Sequence, residues 1–167
     1  MLSNEEKNLI VGIDPGLNGA LVFIEKDTRT VVEKRVIPKI DNVLDINSLD
    51  NYIQFHQNQI YHTFLEKVHA MPRQGVSSTF KFGRVFGIIE ALLVAHRLPY
   101  TLITPASWSK EMHRGVEKSL EPKKRSIIAA KRLFPDTSLV NGDRSKKPHD
   151  GIVDALLIAE YGRRILS

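Results

Sequence analysis

The stretch Asn8–Asn18, NLIVGIDPGLN, decides the fold class of this chain. Its apolar run Leu9–Ile13 is mostly β-branched and is stopped by Pro15 and Gly16, which predicts a buried strand followed by a tight turn. Asp14 stands at the end of that strand, where a carboxylate is costly to bury unless a cation lies beside it. Asp-Pro-Gly is also ordinary turn chemistry. Asp14 therefore indicates a functional site only if other acids converge on it.

Composition restricts the class of protein. The chain has 167 residues, of which 42% are hydrophobic and 26% charged, and this predicts one globular domain over residues 1–167. Because there is no cysteine, disulfides and thiolate metal sites are excluded. The acidic N-terminus does not resemble a signal peptide and no apolar run could span a bilayer, so we expect a cytoplasmic protein without membrane association. A net charge of +5 favours a polyanionic partner only where basic residues cluster.

Hydrophobic periodicity predicts the order of the elements. Strands are expected at 9–13, 20–24, 31–37, 61–68 and 100–104, and helices near 49–60, 79–96, 107–112, 121–133 and 149–165. We expect Ser77 or Ser78 to cap the second helix. A helix before the fourth strand makes a crossover, so that strand should lie parallel to the first. The chain is thus predicted to form a mixed α/β fold whose five-stranded sheet has a three-strand meander, two parallel strands and helices on both faces.

Three further acids are predicted to meet Asp14. Glu66 stands near the end of the fourth strand between apolar neighbours. A glutamate at this position would also be expected if the strand were an edge strand with a solvent-exposed end. Asp154 lies on the apolar stripe of the last helix, with Asp150 one turn earlier, where the helix dipole alone would favour an acid. Four carboxylates in one pocket need cations, and oxygen-only ligand sets favour Mg²⁺ or Mn²⁺. Two such ions can activate a water and stabilise the leaving oxygen of a phosphodiester.

Four segments together resemble the RuvC-type Holliday junction resolvases, and their amino-acid sequences are most similar to the bacteriophage branch of that family. The segments are GIDPGLNGALV with Asp14, FLEKV with Glu66, TFKFGRVFGIIEALL, and HDGIVDALLIAEYG with Asp154. The resemblance runs from about Leu9 to Gly162. It implies a ribonuclease-H-like fold, a homodimer, two divalent ions in each active site, no small-molecule cofactor, and paired nicking of a four-way DNA junction.

The resemblance also implies site residues. Three acids match the metal ligands of the family: Asp14, Glu66 and Asp154. The family's fourth ligand stands three residues before the last acid, where this chain has Gly151. We assign the fourth position to Asp150 by helix geometry, with His149 as the alternative. Lys110 is similar in position to a basic residue near the scissile phosphate and joins the four acids as a catalytic candidate.

Basic residues are the predicted DNA contacts. His69 stands where cellular members carry an aromatic residue that contacts a junction base, which predicts looser sequence selectivity here. Lys124 corresponds to a residue that contacts the DNA backbone. The full set of DNA-binding candidates is His69, Arg73, Lys81, Lys110, Lys123, Lys124, Arg125, Lys146 and Lys147. For any single lysine, a solvated surface is an equally good interpretation.

Two alternatives stand beside a metal-dependent nuclease. The actin and sugar-kinase fold also opens with an acid and a glycine turn after its first strand, but a phosphotransferase of that fold needs a second glycine-rich loop and a much longer chain. A basic junction-binding protein without catalysis would not need four acids.

Smaller features receive structural interpretations. Trp108 is interpreted as a core residue, and Arg163 and Arg164 as charges that complement the dipole of the last helix. Gly12 and Gly16 are interpreted as leaving room for a metal and a phosphate beside Asp14.

Overall fold

The predicted meander is present. The computed structural model describes residues 7–67 and 75–167. Its strands β1 (Leu9–Asp14), β2 (Ala20–Glu25) and β3 (Val31–Val36) pair antiparallel in sequence order. All but the last residue of β1 and of β2 is buried, as expected for apolar strands covered on both faces.

Two parallel strands complete the sheet. The structure places β6 (Ile60–Glu66) parallel to β1, and β7 (Tyr100–Ile103) parallel to β6. The strand order is β3-β2-β1-β6-β7, so β1 is central. The prediction of a mixed five-stranded sheet with a three-strand meander and two parallel strands is confirmed.

A small hairpin was not predicted from the sequence. Strands β4 (Lys39–Ile40) and β5 (Val43–Leu44) pair antiparallel beside the main sheet. Asp41 and Asn42 form its turn with φ of 48° and 61°. Positive φ at both central residues is typical of a type I′ hairpin turn. Strands of two residues are too short for period-2 alternation to reveal them.

Five helices connect and cover the strands. They are α1 (Ile46–His56), α2 (Val76–Ala95), α3 (Pro105–Met112), α4 (Pro122–Leu133) and α5 (Asp150–Ile165). The expectation that Ser77 or Ser78 caps the second helix is wrong, because α2 already begins at Val76 after an extended Gly75. Ile60, predicted to end the first helix, instead begins β6.

The sheet separates two hydrophobic clusters. On one face, Ile10, Val22 and Phe64 pack with residues of α3, α4 and α5. On the other face, Val11 and Ile13 pack with residues of α1 and α2. Alternation along β1 therefore sends successive side chains into different clusters. Helices cover both faces, as predicted. Among the described residues, no helix combines the length and apolarity that a bilayer crossing requires.

Helix α5 lies directly on β1 because glycines let the backbones approach. A Cβ at Gly12 would stand 2.1 Å from the carbonyl oxygen of Ala155, and one at Gly151 would stand 2.3 Å from that of Asn18. The interpretation of Gly12 as room for a metal is wrong, since the helix occupies that space. At Gly16 a Cβ would meet nothing closer than 3.5 Å.

The two arginines near the end of α5 neutralise a buried acid. Glu160 is fully buried, and the Nε atoms of Arg163 and Arg164 each donate to its carboxylate at 2.8 Å. Arg29 lies 3.8 Å from the same carboxylate. Burial raises the pKa of Glu160, but the arginine hydrogen bonds more than offset it and the net shift is downward. The assignment of these arginines to the helix dipole alone is therefore wrong.

Candidate active site

Asp14 and Glu66 end two adjacent parallel strands. Because Ile13 of β1 lies opposite Leu65 of β6, the next residues stand side by side at the same edge of the sheet. Oδ1 of Asp14 accepts a hydrogen bond of 3.3 Å from the Gly16 N–H. The carboxylates of the first and fourth predicted strands therefore meet where the sequence placed them.

Helix α5 supplies two more acids to this edge. Asp154 lies one turn into α5 and is partly buried, whereas Asp150 begins the helix and is exposed. The charges of Asp14, Glu66 and Asp150 all act on the carboxyl group of Asp154. Asp150 also forms an ion pair with Lys123 of α4. The four acids thus form one electrostatically coupled group, which we call the acid cluster.

Burial and like charge raise the pKa of three members of the acid cluster. For Asp14, burial is the main cause and the charge of Asp150 adds to it, so its pKa is about 6 despite the Gly16 hydrogen bond. Burial likewise raises the pKa of Glu66 to about 7, with a contribution from Asp14. The pKa of Asp154 is about 7 through burial and then Asp14. A bound cation would favour the ionised form of all three.

The donor set of the acid cluster fits a hard divalent cation. Its ligand atoms are all carboxylate oxygens, which Mg²⁺ and Mn²⁺ prefer, and their mutual repulsion is what such an ion would relieve. Within residues 7–67 and 75–167, no three acid or histidine side chains converge closely enough to share a single ion in this conformation. Binding would therefore draw the carboxylates together.

His149 serves as the N-cap of α5. Its Nδ1 accepts a hydrogen bond of 3.4 Å from the Ile152 N–H, and burial lowers the pKa of its imidazole. Asp150 instead acts electrostatically on both Asp14 and Asp154. We keep Asp150 as the predicted fourth member because its charge acts on these two acids, and His149 stays the alternative.

The basic candidates lie in different places. Lys123, Lys124 and Arg125 form the first turn of α4, and the Lys123–Asp150 ion pair places that turn beside the acid cluster. Lys146 and Lys147 are exposed in the segment that leads into α5. His69 and Arg73 lie outside the described residues.

Two other basic candidates line surface clefts. Lys110 lines a cleft of about 430 Å³ with Arg164 and Ile165. Arg164 stands about 15 Å along α5 beyond Asp154, at the rise of a regular helix, so this cleft extends toward the C-terminal end of α5. Lys81 lines a separate cleft of about 470 Å³ between α2 and the β4–β5 hairpin.

Sequence reasoning missed three polar residues behind the acids. Trp108 is buried as expected, but its Nε1–H donates to Glu66 Oε1 at 2.7 Å. The Ser126 hydroxyl lowers the pKa of the Asp154 carboxyl group, and His113 Nε2 lies 3.0 Å from the same hydroxyl. The available signal was a serine at helical spacing from Ala129 and Ala130 on the buried side of α4.

Similar folds occur among solved structures. The structure of Thermus thermophilus RuvC has a TM-score of 0.63 at 15% identity, covering 94% of this chain and 96% of that one. T. thermophilus RuvC in complex with a Holliday junction substrate has a TM-score of 0.64 at 15% identity, covering 95% of this chain and 96% of that one. The yeast mitochondrial Holliday junction resolvase Ydc2 has a TM-score of 0.61 at 16% identity, covering 98% of this chain and 80% of that one. No family model and no curated protein matches the chain by sequence.

These likenesses concern the whole fold. They confirm the ribonuclease-H-like architecture and, at the level of fold, the resemblance to RuvC-type resolvases. The bacteriophage branch stays a prediction.

Proposed function

We propose that this protein is a metal-dependent endonuclease that resolves four-way DNA junctions by paired symmetrical nicks. The observation that carries the proposal is the acid cluster at the edge of a RuvC-like sheet. One similar structure is a complex of RuvC with a Holliday junction substrate. A basic binding protein without catalysis would have no reason to keep mutually repelling, largely buried carboxylates together.

The acid cluster would hold one or two Mg²⁺ or Mn²⁺ ions, with Asp14 as the central ligand. Such ions, when bound, supply an activated water and charge stabilisation for an in-line attack on a phosphodiester. Asp14 is held on a rigid central strand, with its carboxylate fixed by the Gly16 N–H. Glu66 and Asp154 approach it from β6 and α5, so three different elements set the spacing of the ligands.

DNA would reach the acid cluster along its basic border. The first turn of α4 carries Lys123, Lys124 and Arg125, and the segment before α5 carries Lys146 and Lys147. Contacts from these side chains to phosphates would position the junction without reading its sequence. Lys110 and Lys81 belong to this proposal only as contacts to more distant DNA arms.

Paired nicking requires two active sites, and we propose that α2 supplies the dimer contact. One stripe of this helix is apolar or small and faces outward: Val76, Phe80, Gly83, Gly87, Ala91 and Val94. Val76 is 88% exposed and Phe80 is 72% exposed. Among the described residues, no atom outside the adjoining backbone of α2 lies within 4 Å of a Cβ built at Gly83 or Gly87, so a second helix has room to approach. An exposed apolar stripe of this length is typical of an interaction surface.

Replacing Asp14 or Asp154 by asparagine tests the proposal. Asparagine keeps the shape and one oxygen acceptor but removes the charge, so cleavage should fall by more than about 100-fold while junction binding is retained or improved. The measurement is cleavage and binding of labelled four-way, three-way and linear duplexes, with and without Mg²⁺ or Mn²⁺.

Three results would contradict the proposed function. Either variant could cut a four-way junction at the wild-type rate. The wild type could cut linear duplex as fast as junctions, which would indicate a general nuclease. The wild type could also bind junctions without cutting them in either metal, which would indicate the non-catalytic alternative.

A further inference from the structure

Three buried polar side chains lie behind the acid cluster, on α3, α4 and the turn between them. We call Trp108, His113 and Ser126 the support layer. Each is only 5% exposed. Trp108 and His113 contact each other edge to face, with ring centroids 6.0 Å apart at 80°. Buried polar groups must be hydrogen-bonded, so their partners show what they do.

Trp108 bonds the carboxylate of Glu66. Its Nε1–H donates to Glu66 Oε1 at 2.7 Å. An indole N–H is a donor only, and a bond of this length to a carboxylate is charge-assisted. Because the indole ring is packed in the core, the N–H points in a fixed direction. Glu66, which would otherwise rotate freely at the end of β6, therefore has one oxygen held in place.

Ser126 and His113 lie behind Asp154. The Ser126 hydroxyl lies close enough to the Asp154 carboxyl group to lower its pKa. His113 Nε2 lies 3.0 Å from the Ser126 hydroxyl oxygen, and this hydrogen bond limits the rotation of the hydroxyl.

We propose that the support layer consists of positioning residues, which restrict the rotation of Glu66 and Asp154 so that a divalent cation can draw the two carboxylates together. This inference rests on the proposed metal-dependent function. Trp108 sets Glu66 and Ser126 sets Asp154, while His113 orients the Ser126 hydroxyl and packs against Trp108. The layer joins a ligand of the sheet to a ligand of α5 through α3 and α4. Partners of metal ligands typically contribute 10–100-fold to metal affinity or activity.

Variants that remove single donors test the layer. Trp108→Phe keeps an aromatic ring without the N–H, and Ser126→Ala removes the hydroxyl. We expect the concentration of Mg²⁺ for half-maximal cleavage to rise about 10–100-fold in each, with junction affinity unchanged. Ser126→Thr retains a hydroxyl and should restore the wild-type metal requirement.

Phe134→Leu is the matched control for a change in packing. Phe134 is a buried aromatic of the same hydrophobic cluster, at the end of α4 distant from Ser126. It should lower thermal stability without changing the metal requirement. The inference is wrong if Trp108→Phe and Ser126→Ala behave like Phe134→Leu.

The fluorescence of Trp108 gives a readout that does not need cleavage. Trp108 is the single tryptophan of the chain. Titration of wild-type protein with Mg²⁺ alone should give a saturable change in its emission, and Glu66→Gln should abolish that change. An emission that responds while no junction is cut would overturn the proposed function and support the positioning role. Metal-dependent cleavage with an emission that never responds would overturn the positioning role alone.

Discussion

Gly12 is the residue at which the sheet and the last helix come closest. A Cβ there would stand 2.1 Å from the Ala155 carbonyl oxygen and 2.4 Å from the Ala159 nitrogen, both of them backbone atoms. Backbone cannot rotate away as a side chain can, so Gly12→Ala must displace α5 from β1. We expect it to lower the free energy of unfolding by about 3 kcal/mol or more, and to reduce cleavage because Asp154 moves with the helix. Thermal and denaturant unfolding measure the first effect.

Gly83→Ala is the control for that substitution. Gly83 lies mid-way along α2 on its exposed side, and no described residue beyond the adjoining helix backbone comes within 4 Å of a Cβ built there. Alanine should therefore stabilise the monomer by up to about 1 kcal/mol through helix propensity. Equal stability of Gly12→Ala and wild type would show that α5 does not lie on β1 at this distance.

At the scale of the element, α2 carries a prediction about assembly. A leucine side chain at position 87 would fill the space that the proposed partner helix needs. In the part of the chain that the structure describes, a Cβ at Gly87 meets no neighbour within 4 Å. We expect Gly87→Leu to be folded and monomeric, and to release singly nicked junctions in place of paired products. Sedimentation equilibrium and the ratio of nicked to resolved junction measure the two effects.

Lys131→Leu supplies the comparison for Gly87→Leu. Lys131 is also exposed on a helix, α4, and lies outside the proposed contact. This variant should stay dimeric. A wild-type protein that is monomeric at working concentration, or a Gly87→Leu variant that remains a dimer, would exclude the α2 stripe as the interface.

At the scale of the whole molecule, the acid cluster makes stability depend on pH. The folded pKa values of Asp14, Glu66 and Asp154 are about 6, 7 and 7, above their unfolded values of 3.8, 4.5 and 3.8. Between about pH 4 and pH 7 the folded state therefore binds more protons than the unfolded state. The free energy of unfolding is highest below about pH 4 as far as these three acids are concerned, and it falls as the pH rises to about 7. Metal-free protein should be less stable at pH 8 than at pH 5, and Mg²⁺ should restore stability at pH 8.

Asp154→Asn should remove part of that pH dependence. Without metal at pH 8, the free energy of unfolding of this variant should be about 1–2 kcal/mol higher than that of the wild type, because one buried charge is gone. Asp136→Asn, at an exposed acid after α4, should leave the dependence as it is. Chemical denaturation at several pH values measures both. A wild-type protein whose stability rises from pH 5 to pH 8 without metal would show that the acids are not held together.

Much of the fold follows from local patterns in the sequence. The apolar run before Asp14, the meander of three strands and the crossover to β6 were all predicted, because strand alternation and turn residues act over a few neighbouring positions. The same patterns placed Asp14 and Glu66 at the ends of adjacent parallel strands. The β4–β5 hairpin and the start of α2 were not predicted, since each depends on only two or three residues.

By itself, then, the sequence determined the strand order and the four acids that could form a site. Tertiary structure decided what surrounds them. Gly12 proved to lie against the backbone of α5, Trp108 proved to donate a hydrogen bond to Glu66, and Lys110 proved to line a cleft with Arg164. The reason is physical: which face of an element is apolar is encoded locally, but which side chain meets which across 40 or more residues depends on how closely two backbones pack.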